Sequence, residues 1–285
     1  MLVRRRLVQF LSTLLANAKL GNFLSGQIYR GPLKQVCVPF LNCYGCPAAL
    51  GACPLGSLQS LAEAPQSRLS FYVWGGMLLA GGLAGRFICG WLCPFGLLQD
   101  LLKRGSRIRL RLPKYLPALK FLLLPLVVLL PAVVVDQYGF GSPYFCQFIC
   151  PAGTLTAGLP LLASGPEFYH LIGPLFWFKL ALLFLILAAA VIYYRPFCRV
   201  LCPLGAFWGL FNRIAYFRLI AAPSCAACGR CSQTCPVQLT LPGQLNSSEC
   251  IRCLDCVKAC PHGALKFTSC SSGVDKGTGY SPTSC

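Results

Sequence analysis

The chain has 285 residues, of which 56% are apolar and only 11% charged, with a mean hydropathy of +0.64. That balance excludes an ordinary soluble domain and makes membrane segments the first thing to look for. A net charge of +18 invites a nucleic-acid reading. The basic residues sit mostly near the ends of apolar segments, however, which is the positive-inside pattern of a membrane protein, so no nucleic-acid partner is expected.

The first apolar run, about 7–23, is interrupted by Asn17, Lys19 and Asn22. Its start resembles a signal peptide, and Ala16-Asn17-Ala18 resembles a cleavage site. An uncleaved first helix is preferred, and either reading puts residues 26–68 on the outer side. Three further runs, about 69–88, 119–135 and 171–193, are long enough to span hydrocarbon of roughly 30 Å. Between the second and third helices lie Lys103, Arg104, Arg107, Arg109, Arg111, Lys114 and Lys120, whereas 137–170 holds no Lys or Arg. This asymmetry predicts that 102–118 is cytoplasmic, that 137–170 is extracytoplasmic, and that everything after Arg195 is cytoplasmic.

Two segments nearly repeat each other: RFICGWLCPFG at 86–96 and RPFCRVLCPLG at 195–205. Each follows an apolar run and places an Arg, then two cysteines four apart, then Pro-x-Gly. Proline suits the first position of a helix, and a thiolate just before a helix feels its positive end. Cys89, Cys93, Cys198 and Cys202 thus supply four soft ligands, the number that holds a [4Fe–4S] cube. Buried inert thiols would not explain the duplication. Arg86 and Arg195 are candidate cofactor-binding cations beside that cube; the alternative is that they snorkel to the lipid surface.

The outer segments carry CVPFLNCYGCPAALGAC at 37–53 and Cys146-x3-Cys150-Pro151. ACPLGSL at 52–58 and ICPAGTL at 149–155 echo each other, which suggests two tandem pseudo-symmetric units. The repeat is imperfect, because Ala49 stands where the first unit would match Cys146. The preferred ligands of an outer-face cluster are Cys46, Cys53, Cys146 and Cys150, since Cys46 and Cys53 each precede Pro. Cys37 and Cys43 would remain as a dithiol or disulfide. The competing assignment gives Cys37, Cys43, Cys46 and Cys53 a cube of their own.

Residues 225–236 and 250–261 both read C-x2-C-x2-C-x3-C-P, the spacing of bacterial two-cluster ferredoxins. In that pattern the fourth cysteine serves the other cube. Cys225, Cys228, Cys231 and Cys260 are assigned to one cluster, and Cys250, Cys253, Cys256 and Cys235 to the second. Phe217–Ala222 and Ala264–Phe267 would be flanking strands. Twenty cysteines in such spacings point to clusters rather than to a disulfide scaffold, which would be short and polar. With His170 and His262 as the two histidines, there is little provision for haem. From about Ser269 the Ser/Gly/Thr-rich chain reads as a disordered tail.

The expected fold is mainly α: a polytopic membrane domain over 1–215 with about four transmembrane helices, an α+β two-cluster ferredoxin domain over 216–268, and the tail over 269–285. RFICGWLCPFGLLQD, RPFCRVLCPLGAFWGLFNR and the two ferredoxin motifs make the chain resemble the NapH/NosR/CcoG-like membrane polyferredoxins of bacterial or archaeal cytoplasmic membranes. The resemblance covers about 69–268. It implies electron exchange among quinol or cytoplasmic donors and partner reductases, or metal reduction during oxidase assembly. The extra outer cysteines depart from the NapH pattern, so a NapH-specific partner or quinol role is not carried over. The leading expectation is electron relay between cytoplasmic ferredoxin clusters and an outer-face redox centre. Its partners would be membrane lipid, redox proteins on one or both faces, and a quinone as a candidate. Two alternatives remain: a metal- or thiol-reducing maturation factor and a redox-sensing regulator. Nothing resembles a catalytic triad or nucleotide fingerprint, so small-molecule catalysis is assigned to partners.

Overall fold

A computed structural model describes residues 2–63, 71–106, 110–134 and 141–269. The tail expected beyond Ser269 lies outside these residues. The fold is mainly helical. Its larger helices are Leu2–Ala16, Pro54–Glu63, Phe71–Ala84, Pro94–Gly105, Leu119–Val133, Pro174–Ile192 and Pro203–Phe211.

The expected membrane runs are helical but shorter than drawn from hydropathy. Among the described residues one helix, Pro174–Ile192, is long and apolar enough to cross a membrane; Phe71–Ala84 is a shorter apolar helix. Phe71–Ala84 stops because Gly85 turns the chain at φ 50. Leu119–Val133 carries Pro125 and Pro131 inside it, and each removes an amide donor from the helix ladder.

The first helix departs from the expected 7–23. It runs from Leu2 to Ala16 and takes Arg4, Arg5 and Arg6 inside. Arg5 is tolerated there because it is buried against Asp100 at 2.8 Å and lies 3.8 Å from Asp255. Gln9 and Ser12 fasten the same helix to the carbonyls of Gly90 and Leu92.

The expected strands pair as a two-stranded antiparallel sheet, Phe217–Ala221 with Leu265–Ser269, in the register Phe217↔Ser269 to Ala221↔Leu265. A separate small core forms behind it from Leu219, Val237, Leu239, Ile251 and Leu265. The larger core holds thiols of both cysteine-rich regions, among them Cys53, Cys89, Cys93, Cys150, Cys198 and Cys202.

Candidate metal centre

Four helices begin in the same way. Cys53, Cys93, Cys150 and Cys202 each stand just before a helix whose first residue is proline, at Pro54, Pro94, Pro151 and Pro203. Each thiol accepts a hydrogen bond from the amide of the glycine three residues on: Gly56, Gly96, Gly153 and Gly205. The sulfur thereby takes the place that a Ser or Asp oxygen takes at an ordinary helix start.

The inner quartet is assembled from two of these starts. Cys89, Cys93, Cys198 and Cys202 line one cavity with Phe40, Leu41, Phe95, Phe197, Leu204 and Trp208. All four thiols are buried. The two arginines are exchanged between the repeats. Arg86 reaches the carbonyl of Cys198 at 3.0 Å, and Arg195 reaches the carbonyl of Cys89 at 2.7 Å. A Cβ on Gly205 would sit 2.7 Å from the Cys198 carbonyl, and one on Gly96 would sit 3.1 Å from that of Cys89. Glycine is what lets each swap close. Both arginines are fully buried, so neither snorkels to a lipid surface.

Sequence reading missed the partners of these cations. Arg195 makes a two-point ion pair with Asp100, at 2.7 and 2.5 Å. The position of Asp100 in the other repeat is Gly209. There the carbonyl of Ser248 comes in, 2.8 Å from where a Cβ would be, and accepts from Arg86 at 2.7 Å. Glu249 then pairs with Arg86 at 3.5 Å, with Arg199 at 3.8 Å and with Lys120. Buried Arg5, Arg86, Lys120, Arg195 and Arg199 thus face three carboxylates, Asp100, Glu249 and Asp255. Unbalanced buried cations are costly. Four thiolates around a cube form an anion that would offset the excess.

The ferredoxin motifs give two more quartets. Cys225, Cys228, Cys231 and Cys260 line one cavity; Cys235, Cys250, Cys253 and Cys256 line another. The crossing of Cys260 and Cys235 follows the motif. Burial, with Cys250 and Cys235 nearby, pushes the Cys256 thiol up to about 12. At Cys260 burial also pushes upward, but amides of Ala264, Leu265, His262 and Gly263 point at the sulfur and the net shift is down. Among the described residues no group of three or more His, Cys, Asp or Glu converges on a single ion. Instead the thiols stand around a space, four to each, which fits a multi-atom cluster with soft ligands.

The ferredoxin module is docked onto the inner quartet. A Cβ on Gly90, the neighbour of Cys89, would meet the carbonyl of Ile251, the neighbour of Cys250, at 2.2 Å. Trp91 donates to the Arg252 carbonyl at 3.0 Å. Arg252 is fully buried and donates to the carbonyls of Ala84 at 2.8 Å and Asn212 at 2.7 Å.

The outer cysteines fall into two packed groups, Cys53, Cys150, Cys146 and Cys37 in the larger core and Cys46 with Cys43 in a smaller one. Cys46 is buried in a small cluster with Ala48 and Ala49. Its sulfur accepts from the amides of both, and its thiol donates to Asn17 at 3.7 Å. Cys43 packs against that same cluster, and its carbonyl accepts from the Cys46 amide at 3.1 Å, while its thiol also faces Cys150 and Lys179. Cys37 is bridged to Ala52, and its thiol lies near Ser57 and Cys53.

The chain matches a family model described as a 4Fe-4S binding domain over residues 69–113, 121–163 and 175–219, and a second 4Fe-4S binding domain over 244–266. It is 34% identical over 194 residues to the uncharacterised protein MJ0750 of Methanocaldococcus jannaschii, covering 65% of this chain and 73% of that one. It is 28% identical over 180 residues to the regulatory protein NosR of Stutzerimonas stutzeri, covering 59% of this chain and 22% of NosR. It is 25% identical over 202 residues to the ferredoxin-type protein NapH of Haemophilus influenzae, covering 66% and 63%. No solved structure matches the chain. The class is therefore an iron–sulfur protein of the electron-transfer kind. Within it, the chain belongs to the NapH/NosR-like 4Fe–4S ferredoxin-type family.

Proposed function

We propose that this chain is a membrane-bound conduit that relays electrons between a cytoplasmic ferredoxin module and a redox centre on the outer face. The proposed ligands are Cys225, Cys228, Cys231 and Cys260 for one [4Fe–4S] cluster, Cys235, Cys250, Cys253 and Cys256 for the second, and Cys89, Cys93, Cys198 and Cys202 for a third. A cube at each quartet would supply a one-electron carrier. The carrying observation is the close approach of Gly90 to Ile251, which sets the Cys89 and Cys250 backbones side by side. It supports the order distal ferredoxin quartet, proximal ferredoxin quartet, inner quartet.

The residues around the inner quartet have separate tasks. Arg86 and Arg195 tie the two cysteine turns together through opposite carbonyls and hold positive charge beside four thiolates. Phe40, Leu41 and Trp208 keep water from the cavity. The membrane setting is supported by the Pro174–Ile192 helix, of which only 17% is buried, and by outward apolar residues such as Phe71, Leu122, Trp177 and Leu185. The Lys/Arg asymmetry supports a cytoplasmic ferredoxin side.

Reconstitution in sealed vesicles tests the reading. A low-potential donor on the ferredoxin side should reduce an acceptor trapped on the other. Cys198→Ser should abolish that transfer while the ferredoxin EPR signals persist. Transfer at the wild-type rate in Cys198→Ser would remove the inner quartet from the path.

A further inference from the structure

The outer cysteines repeat the construction of the inner quartet more closely than their sequence does. Cys53 and Cys150 are two of the four Cys-Pro-x-Gly helix starts. Cys146, four residues before Cys150, matches Cys198, four before Cys202. The backbone agrees: the amide of Cys150 bonds the carbonyl of Phe145 at 2.8 Å, and that of Cys202 bonds Phe197 at 3.0 Å. Both phenylalanines are buried. Cys146 lies in a π-helical turn, Phe145–Ile149, a geometry that recurs at functional sites.

The first repeat lacks the matching cysteine, having Ala49 there, and Cys43 fills the vacancy from the preceding loop. Cys53 and Cys150 lie in one buried core, and Cys146 packs against it. Cys43 Sγ lies 3.7 Å from where a Cβ on Gly153 would be, and Lys179 Nζ lies 3.9 Å from the same point. Lys179 also donates to the carbonyl of Cys146 at 3.1 Å. A cation again stands beside four thiols from two repeats.

The loop that supplies Cys43 also joins the two quartets. The Leu41 amide donates to Cys93 of the inner set, and the next amide, Asn42, donates to Cys53 of the outer set. Consecutive amides are one residue step apart, at most roughly 3.5 Å. A single peptide unit therefore spans from one quartet to the other.

We propose that Cys43, Cys53, Cys146 and Cys150 hold a fourth [4Fe–4S] cluster, and that the Leu41–Asn42 peptide couples it to the inner site. Its role as electron terminal rests on the conduit reading; its ligand set does not. Loading exchanges four S–H bonds for four Fe–S bonds and releases one proton from each thiol. Iron and sulfide come from ordinary cluster assembly, and no electron passes to or from the protein in that step. Cys46 and Cys37 remain thiols.

The test is iron per chain and EPR of the reduced full-length protein, purified anaerobically. Cys43→Ser should lose about four iron atoms relative to wild type, with the ferredoxin signals kept as the control for folding. Cys46→Ser and Cys37→Ser should keep wild-type iron. If Cys43→Ser does not fold, Cys146→Ser gives the same reading. Wild-type iron in Cys43→Ser or Cys146→Ser would overturn the proposal, as would loss of four iron atoms in Cys46→Ser or Cys37→Ser. Failure of the conduit reading shows separately, as transfer across the vesicle membrane at the wild-type rate in Cys198→Ser.

Discussion

Arg195 stands in the left-handed backbone region, at φ 48, where a long side chain is uncommon. Its guanidinium holds it there, with two bonds to Asp100 and one to the Cys89 carbonyl. Arg195→Met leaves Asp100 buried with Arg5 as its remaining ion-pair partner. Breaking a buried pair in this way costs about 3–5 kcal/mol. We expect a lower thermal midpoint and loss of the inner iron in Arg195→Met, with part of the stability restored by adding Asp100→Leu. An unchanged midpoint and full iron would contradict the bridging role. At this scale the repeated Arg-x2-Cys-x3-Cys spacing made the arginines legible, but Asp100 was not, because its partner lies 95 residues away. Cys43 was left open between two assignments, a dithiol with Cys37 and a cube with Cys37, Cys46 and Cys53. Proline after cysteine was weighed without the glycine that follows: Cys46-Pro47-Ala48-Ala49 lacks it, and no helix begins there.

The recurring element is the helix start Cys-Pro-x-Gly, and its glycine has two uses. Its amide caps the thiol at all four sites, while at Gly96 and Gly205 the missing Cβ also admits a carbonyl from the preceding turn. Gly90 has a related use, since Ile251 occupies the space a side chain would need. Gly90→Ala should force the ferredoxin module away, at a cost of about 1–3 kcal/mol typical of overpacking. Iron content should stay at the wild-type value while electron equilibration between the inner site and the ferredoxin clusters slows, because displacing the module lengthens the path between them. Rapid-freeze EPR after a reductant pulse measures it; equilibration at the wild-type rate would show that the Gly90–Ile251 contact is not the coupling path. Helix existence was legible from apolar runs. Helix ends were set by features that hydropathy does not weigh, namely the φ 50 turn at Gly85 and the Arg5–Asp100 pair.

At the scale of the whole molecule, two repeated halves enclose the inner quartet and the ferredoxin module closes over it. The repeat and the ferredoxin spacing were visible in the sequence because ligand geometry constrains residues close together along the chain. The docking was not: carbonyls make much of it, Ser248 to Arg86, Ile251 against Gly90 and Arg252 to Trp91, beside the long-range ion pairs of Glu249 with Arg86, Lys120 and Arg199. Any residue carries a carbonyl, so composition gives no sign of it. The central claim is that the duplicated cysteine turns form a cluster site rather than a pair of structural thiols. Iron and sulfide quantitation with EPR spin counting, on wild type beside the Cys89→Ser/Cys198→Ser double variant, tests it most directly. The account predicts that the double variant loses about four iron atoms per chain and one paramagnetic centre, with the ferredoxin clusters intact. Equal iron and equal spin count in the two proteins would contradict it.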